Sequence, residues 1–396
     1  LPKAINIGSL VGHGQIRRRV VGLEARDPTD EELLQMQEYV REAMEAGAFG
    51  LSTGLIYSPG MYAKTPEIVA LAQVAGQYGG LYSTHLRSES DLEADAVLEA
   101  VQIARASGCR VQVAHLKASG KRNWGMVKTS LDLMEYARRL GVEITCDAYP
   151  CTPSGASLFV LYPGWARSGG KTAVQKLAKD PAARAKIRRE LQKPALDWEN
   201  IYFDAGPDGL LITLSNVHPE YQGKTLAEVA KIRGEDPIET IFTLAGEDID
   251  IQMIAGGMSE EDNKTVLTHR LTMISSDSSV IEFGKGMPHP RGYRAFTKVI
   301  ATYVRDNPIF TLEQAVYKMS GFPAWKLSLT DRGIIRPGAK ADIVVFDYWR
   351  MGFKADFGDP HHYSDGVVHV MVNGQLVRKD ERPTGALPGR VLRRPQ

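Results

Sequence analysis

Two stretches of the chain run up to a histidine in the same way. Leu81-Tyr82-Ser83-Thr84-His85-Leu86-Arg87-Ser88-Glu89 is a short β-prone run that reaches His85, and Val111-Gln112-Val113-Ala114-His115-Leu116-Lys117 is a second that reaches His115. Each is followed by a segment of helical character. The two histidines stand 30 residues apart, about the length of one βα unit. In a parallel α/β barrel, consecutive strands therefore deliver two imidazoles side by side at the C-terminal rim, where such barrels carry their chemistry. A pair of neutral imidazoles on a rigid rim is what a borderline cation such as Zn2+ prefers. One strand-end histidine alone is more often a capped core residue; the matched pair reverses that reading.

A carboxylate completes the set. Asp277 follows an apolar stretch, residues 266–276, that reads as the last barrel strand, and it is flanked by Ser275, Ser276, Ser278 and Ser279. An acid facing two metal-bound imidazoles can ligate the ion, take a proton from the attacking water and pass it to a leaving amine. The competing reading is a turn or helix cap through Ser278-Ser279. Lys117, Tyr149 and Arg291 also fall just beyond strand ends. Together at one mouth they suit a substrate bearing a carboxylate, held by the arginine through a two-pronged clamp; singly, each reads as a surface charge or a packed phenol. His13 reads as a loop-ordering or ligand-facing group and His269 as a core histidine within its strand. His218, His289, His361, His362 and His369 read as structural.

The elements that must position these groups alternate. Residues 4–10 read as a buried strand with Val11-Gly12-His13-Gly14 as its rim loop. Pro28 and the acids after it open a helix that runs to about Ala46 and stops at Gly47. A strand over 48–52, a helix from Pro66 to about Tyr78, the His85 strand, a helix over 92–107 and the His115 strand follow. A helix over 126–140 then leads to a strand over 142–148, which ends in Asp147-Ala148-Tyr149-Pro150. This βα rhythm predicts a parallel sheet.

After Pro150 the rhythm breaks. A loop over 151–170, a charged helix over 171–191 and helices over 226–232 and 237–245 read as a rim-loop insertion at about 151–260, a common place for substrate-covering elements. The 266–276 strand, a loop over 284–292 and helices over 296–306 and 312–319 close the α/β part. Residues 333–346 read as a turn between two strands, and 367–377 as a hairpin about Asn373-Gly374. The expected architecture is a TIM-type (β/α) barrel over 1–330 and a small β domain over 331–396.

Composition narrows the partners. The 396 residues are 43% hydrophobic and 24% charged, an ordinary globular balance. A net charge of +1 gives no footprint for nucleic acid, and no apolar run reaches a membrane span. Cys109, Cys146 and Cys151 show no metal-knuckle spacing and suit a reducing, cytoplasmic setting.

Taken in order, several pieces resemble the metal-dependent amidohydrolases, and within them the N-acyl-D-amino acid deacylases. They are Val11-Gly12-His13-Gly14, Gly50-Leu51-Ser52-Thr53-Gly54-Leu55-Ile56-Tyr57, the His85 run, Asp147-Ala148-Tyr149-Pro150, Ser275-Ser276-Asp277-Ser278 and His289-Pro290-Arg291, with Asp331-Arg332-Gly333 and 338–344 near the end. The resemblance implies an amidohydrolase barrel with one or two zinc ions at its mouth. His85 and His115 match metal histidines and Asp277 the catalytic aspartate. Lys117, Tyr149, Arg291 and, more weakly, Ser154 match the residues that hold the α-carboxylate of a small N-acyl amino acid.

The resemblance also implies a His-x-His pair on the first strand and a metal-binding cysteine, and neither occurs in this sequence. Six candidate strands, against the eight of a closed barrel, make two further strands before Leu1 the expectation, and with it reduced metal binding or an inactive fragment. A cyclic-amide hydrolase of the hydantoinase or dihydroorotase kind is the alternative; its usual carboxylated lysine is missing from Phe49-Gly50-Leu51-Ser52-Thr53.

Overall fold

The computed structural model describes residues 2–395. Its largest sheet has six parallel strands, β1 (Val11–Gly12), β2 (Gly50–Gly54), β3 (Leu81–His85), β4 (Arg110–Val113), β5 (Ile144–Ala148) and, after an insertion, a short strand Thr272–Ile274. The insertion contributes β6 (Ser154–Ser157), β7 (Leu210–Leu214) and β8 (Gln252–Ala255), so Thr272–Ile274 is β9, and the large sheet runs β1-β2-β3-β4-β5-β9. Register is set pair by pair: Gly54 lies opposite His85, Thr84 opposite Val113, and Ala148 opposite Ile274.

Each crossover is a helix whose ends are written in the sequence. Thr29 and Glu32 form a reciprocal capping box at the head of Asp30–Glu45. Pro66 sits in the first turn of Thr65–Gln77, and Gly108, at φ 72°, ends Glu93–Ser107 in the left-handed conformation that glycine adopts without strain. Their apolar stripes bury Met36, Ile68, Leu71, Val97, Ile103 and Met134 against Leu51, Val111 and Ile144 of the sheet. Burial of this kind stabilises by roughly 25 cal/mol per Å2 of apolar surface removed from water, and here it fixes the strand ends that carry the histidines.

The insertion has its own core, in which Leu158, Tyr162, Leu210, Ile212 and Phe242 pack together. Its three strands are antiparallel, in the order β6-β8-β7. Near the C-terminus, β10 (Ile343–Phe346), β11 (Val367–Val372), β12 (Gln375–Lys379) and β13 (Arg382–Pro383) form a second antiparallel sheet, with the Asn373-Gly374 hairpin between β11 and β12. No helix among the described residues is long and apolar enough to cross a membrane.

Several sequence expectations are corrected. The segment expected as a strand over 4–10 makes only single bridges, Lys3 to Pro388 and Ile7 to Val391, because it pairs with the C-terminal tail. His13 opens a helix, His13–Val20, instead of lying in a loop, since its ring bonds Glu67 2.8 Å away. The charged helix over 171–191 is two, Lys171–Leu177 and Pro181–Leu191; Pro181 lacks the N–H that continuity requires, and Asp180 caps the second. Most of 266–276 is not strand: Ser259 caps a helix, Glu260–Thr268, and His269 sits at its end. The helix expected at 296 starts at Arg291 and loosens to π geometry over Val299–Asp306. Of 333–346 only Ile343–Phe346 is strand.

Candidate active site

His85 is the last residue of β3, and His115 lies two residues beyond β4. The backbone at His115 is left-handed, with φ 40°, a conformation that costs a non-glycine residue on the order of 1 kcal/mol or more. Asp147 at the end of β5 holds it there. Its Oδ1 accepts the His115 N–H at 3.1 Å and the Ser275 hydroxyl at 2.7 Å, and its Oδ2 accepts the Gln112 amide at 2.6 Å. Three neighbouring strand ends are thus tied to one carboxylate.

The two imidazoles face one another. His85 Nδ1 and His115 Nε2 are 3.0 Å apart, and the rings meet nearly edge to face at 74°. Glu89, from the loop after β3, lies beside both. Its Oε1 is 2.8 Å from His115 Nδ1 and 2.6 Å from the Lys117 ammonium, and its Oε2 is 3.6 Å from His85 Nε2. Burial pushes the His85 imidazole down to about 3, outweighing the pull of the Glu89 carboxylate, so the ring is neutral at ordinary pH. Burial also opposes ionisation of Glu89, but the His85 ring, then the Lys117 ammonium and the His115 ring beside it, hold its carboxyl well below the usual range.

His85, Glu89 and His115 bring one ligand atom each within 4.8 Å of one another, and His85 Nε2 is buried without a hydrogen-bond partner. Two imidazoles beside a carboxylate, with polar capacity left unsatisfied, fit a divalent cation of the zinc type. The sequence reading included both histidines and passed over Glu89. Its only signal there was a carboxylate four residues after a strand-end histidine, a spacing as common on any helix or loop.

The cluster opens into a cavity of about 690 Å3, lined by the strand ends, by the insertion strands β6, β7 and β8, and by residues 277–291. Asp277 lies on this cavity but outside the tight cluster of His85, Glu89 and His115. It too has a left-handed backbone, φ 46°, and its Oδ2 is 2.7 Å from Arg291 Nη1. No N–H of Arg291 is aimed along that line: Nη1 and Nε are both without a hydrogen-bond acceptor, so the contact is an ion pair that leaves donors free.

The guanidinium of Arg291 stacks 4.4 Å over the ring of Tyr149, and the Lys117 ammonium is 5.7 Å from the same ring. Ser154 opens β6 on the same cavity, its hydroxyl 3.5 Å from the Ala255 carbonyl. His289 positions this group. Its Nδ1 accepts the Arg291 N–H at 3.1 Å and its Nε2 donates to the Pro153 carbonyl at 3.0 Å. Burial, with Arg291 beside it, pushes its pKa down to about 3. The insertion adds Glu199, a buried carboxyl on the cavity that burial, then the nearby Glu89 charge, pushes up to about 8. Nothing in the sequence around Glu199 signals it, because the burial comes entirely from tertiary packing.

Comparison with known proteins agrees with this geometry. Residues 194–378 match the Amidohydrolase family. The chain is 34% identical over 390 residues to the N-acyl-D-glutamate deacylase of Alcaligenes xylosoxydans xylosoxydans, spanning 98% of this chain and 70% of that enzyme. It is 32% identical over 393 residues to the D-aminoacylase of the same organism, spanning 99% of this chain and 71% of that one. It superposes with a TM-score of 0.81, at 33% identity over 98% of this chain and 72% of the other, on the N-acyl-D-glutamate deacylase of Bordetella bronchiseptica, crystallised with zinc and a phosphonate mimic of the tetrahedral intermediate. A β/α sheet ending in paired imidazoles, an aspartate–arginine pair on the same cavity and these near full-length likenesses place the chain in the N-acyl-D-amino acid deacylase (D-aminoacylase) family of the amidohydrolases, hydrolases of amide bonds.

Proposed function

We propose that this chain hydrolyses the amide bond of N-acyl-D-amino acids, releasing a D-amino acid and a carboxylate, with zinc held by His85 and His115. The observation that carries the reading is the 3.0 Å approach of two imidazole nitrogens on the cavity that also bears Asp277 and Arg291. Bound zinc would supply Lewis-acid chemistry, polarising the scissile carbonyl and acidifying water. Whether one ion or two is used follows from titration.

The chain's own residues supply the rest. Asp277 accepts the proton of the attacking water as its oxygen bonds the carbonyl carbon, then returns that proton to the nitrogen as the C–N bond breaks. Arg291, whose Nε makes no hydrogen bond and whose Nη1 is held only in the ion pair with Asp277, holds the substrate α-carboxylate. Tyr149, whose ring centre lies 4.4 Å from that guanidinium, supports it, and Lys117 and Ser154 complete the clamp. The same reading makes residues 1–330 the catalytic barrel, with the insertion at about 151–260 as its cover, and 331–396 the β domain. Its setting is the reducing cytoplasm, in keeping with three buried free thiols.

The test is a chiral assay on the zinc-loaded chain with N-acetyl-D- and N-acetyl-L-amino acids, and with a dihydropyrimidine as the cyclic-amide control. Release of D-amino acids that stops on chelation supports the proposal. Turnover of the cyclic amide alone, or of the L-series alone, rejects the substrate.

A further inference from the structure

We propose that Glu199 and Asp204 form a second recognition patch on the cavity, one that takes a positively charged ammonium of the substrate. The proposal rests on the deacylase reading above and names a substrate class within it, the N-acyl-D-amino acids that carry a cationic group.

The patch is built into the insertion and pressed against the barrel. Asn200 follows Glu199 and heads the helix Ile201–Ala205 that carries Asp204. Its amide donates to the carbonyls of Glu190, Leu191 and Lys193 at 3.1, 3.1 and 2.9 Å, and its oxygen accepts the Phe203 N–H at 3.1 Å. Gly120, in the loop after β4 that also carries His115 and Lys117, lets this segment come close: a Cβ there would fall 2.6 Å from Asp204 Oδ1. Glu199 and Asp204 line the same cavity as His85 and His115.

Both acids keep acceptor capacity unused. Glu199 is 6% exposed and its Oε2 has no hydrogen-bond partner; the Asp204 side chain is 3% exposed and its Oδ2 has none. Arg122 reaches Asp204 Oδ1 through Nη1 at 2.6 Å, but it gives Nε and Nη2 to Asp91 at 2.7 and 2.6 Å. One guanidinium is thus shared by two carboxylates, and the patch is not neutralised from within. Buried carboxyl oxygens without partners on a ligand cavity favour a donor there. A cationic donor also favours the ionised form of Glu199, which burial otherwise opposes.

The rest of the wall argues against a second anion. Among the described residues, the lysines and arginines lining the cavity are Lys117, Lys285 and Arg291. Each already faces a carboxylate: Glu89 at 2.6 Å, Glu282 at 3.5 Å and Asp277 at 2.7 Å. With Arg291 holding the α-carboxylate, an acidic side chain would meet unpaired acids and no free cation.

The test is binding by calorimetry to the zinc-loaded Asp277→Asn variant, whose slowed turnover leaves ligands whole. N-acetyl-D-lysine is compared with N-acetyl-D-norleucine, which lacks only the ammonium, and glycyl-D-norleucine with the same acetyl compound; N-acetyl-D-glutamate is the anionic control. The expected result is binding of an ammonium-bearing ligand roughly 10–100-fold tighter than its neutral counterpart, the scale of a charged hydrogen bond. Which comparison shows it tells whether the charge sits on the side chain or on the acyl group. Adding Glu199→Gln should bring that ratio close to one, and Asp204→Asn should lower it if the first variant does not fold. Equal binding in both comparisons, tighter binding of the glutamate compound, or a preference that survives both substitutions overturns the patch. If the ammonium ligands are preferred but the wild type hydrolyses none of these amides, the deacylase reading falls and the patch stands.

Discussion

Asp277 and Arg291 bracket the loop between β9 and the helix that follows it, and they meet across its base, Oδ2 to Nη1 at 2.7 Å. The loop between them is tied at two further points. His361 Nδ1 accepts the Gly284 N–H at 3.1 Å, and the Met287 N–H donates to the Thr213 carbonyl of β7 at 2.8 Å. One loop thus carries both the proposed proton carrier and the proposed carboxylate clamp, and is fastened to the insertion on one side and to the C-terminal segment on the other. Their roles separate on substitution.

Asp277→Asn keeps the shape and removes the base. The expected result is a kcat lowered by roughly 10²–10⁴, the usual worth of a positioned acid–base group, with zinc content by atomic emission unchanged. Equal losses of zinc and rate would make Asp277 a ligand instead.

Arg291→Lys keeps the charge and removes the fork. We expect kcat/KM to fall by about 10–100-fold, the scale of a charged hydrogen bond worth about 1.5–3 kcal/mol, carried mainly by KM. Substrates lacking the α-carboxylate should show no such penalty. A loss that appears in kcat alone would place Arg291 with the reacting atoms.

His85→Ala and His115→Ala test the metal by stability. A ligand at about 1,000 times its dissociation constant stabilises the native state by about 4 kcal/mol. Zinc should raise the unfolding free energy of the wild type by that order and leave both variants unmoved. An equal rise in all three would move the ion elsewhere.

His289 gives a pH dependence whose sign is fixed. Its folded pKa, lowered to about 3, lies below the ordinary 6.5 of the unfolded chain. Its neutral, hydrogen-bonded form therefore contributes fully above about pH 6.5, and that contribution is lost as the pH falls toward 3. Between pH 7 and pH 5 the loss is about 1–2 kcal/mol, as the ring is only partly buried. Urea unfolding of wild type and His289→Gln at the two pH values should differ by that amount, the variant being the flatter.

Gly50 tests how closely β2 and β3 are packed. It sits at φ 153°, and a Cβ there would fall 1.9 Å from the Leu81 carbonyl oxygen. Gly50→Ala must push apart the strand that ends in His85. We expect a loss of several kcal/mol in chemical denaturation, within the range of backbone clashes; a change under about 0.5 kcal/mol would mean that the strands can part freely.

Much of this was legible before any coordinates. The His85 and His115 runs alternate apolar and polar residues and stop at turn signals, so both strands and their order followed from pattern alone. The hairpin at Asn373-Gly374 followed from turn chemistry. What escaped reading depended on tertiary contact. Residues 266–276 are apolar enough for a buried strand or a buried helix, and the Ser259 cap decided for helix over Glu260–Thr268. The insertion strands are only four or five residues long, and β8 pairs with β7 about forty positions before it and with β6 about a hundred before it, beyond any local signal. Glu89 was in plain view, but which ring nitrogens its two oxygens reach is a matter of three-dimensional approach. His289 read as structural, and its part is to hold the Arg291 backbone.

The most direct measurement is an anomalous difference map at the zinc absorption edge from crystals of the zinc-loaded chain. The account predicts a peak bonded to His85 and His115, on the cavity that Asp277 lines. A peak that avoids both histidines, or none at saturating zinc, contradicts it.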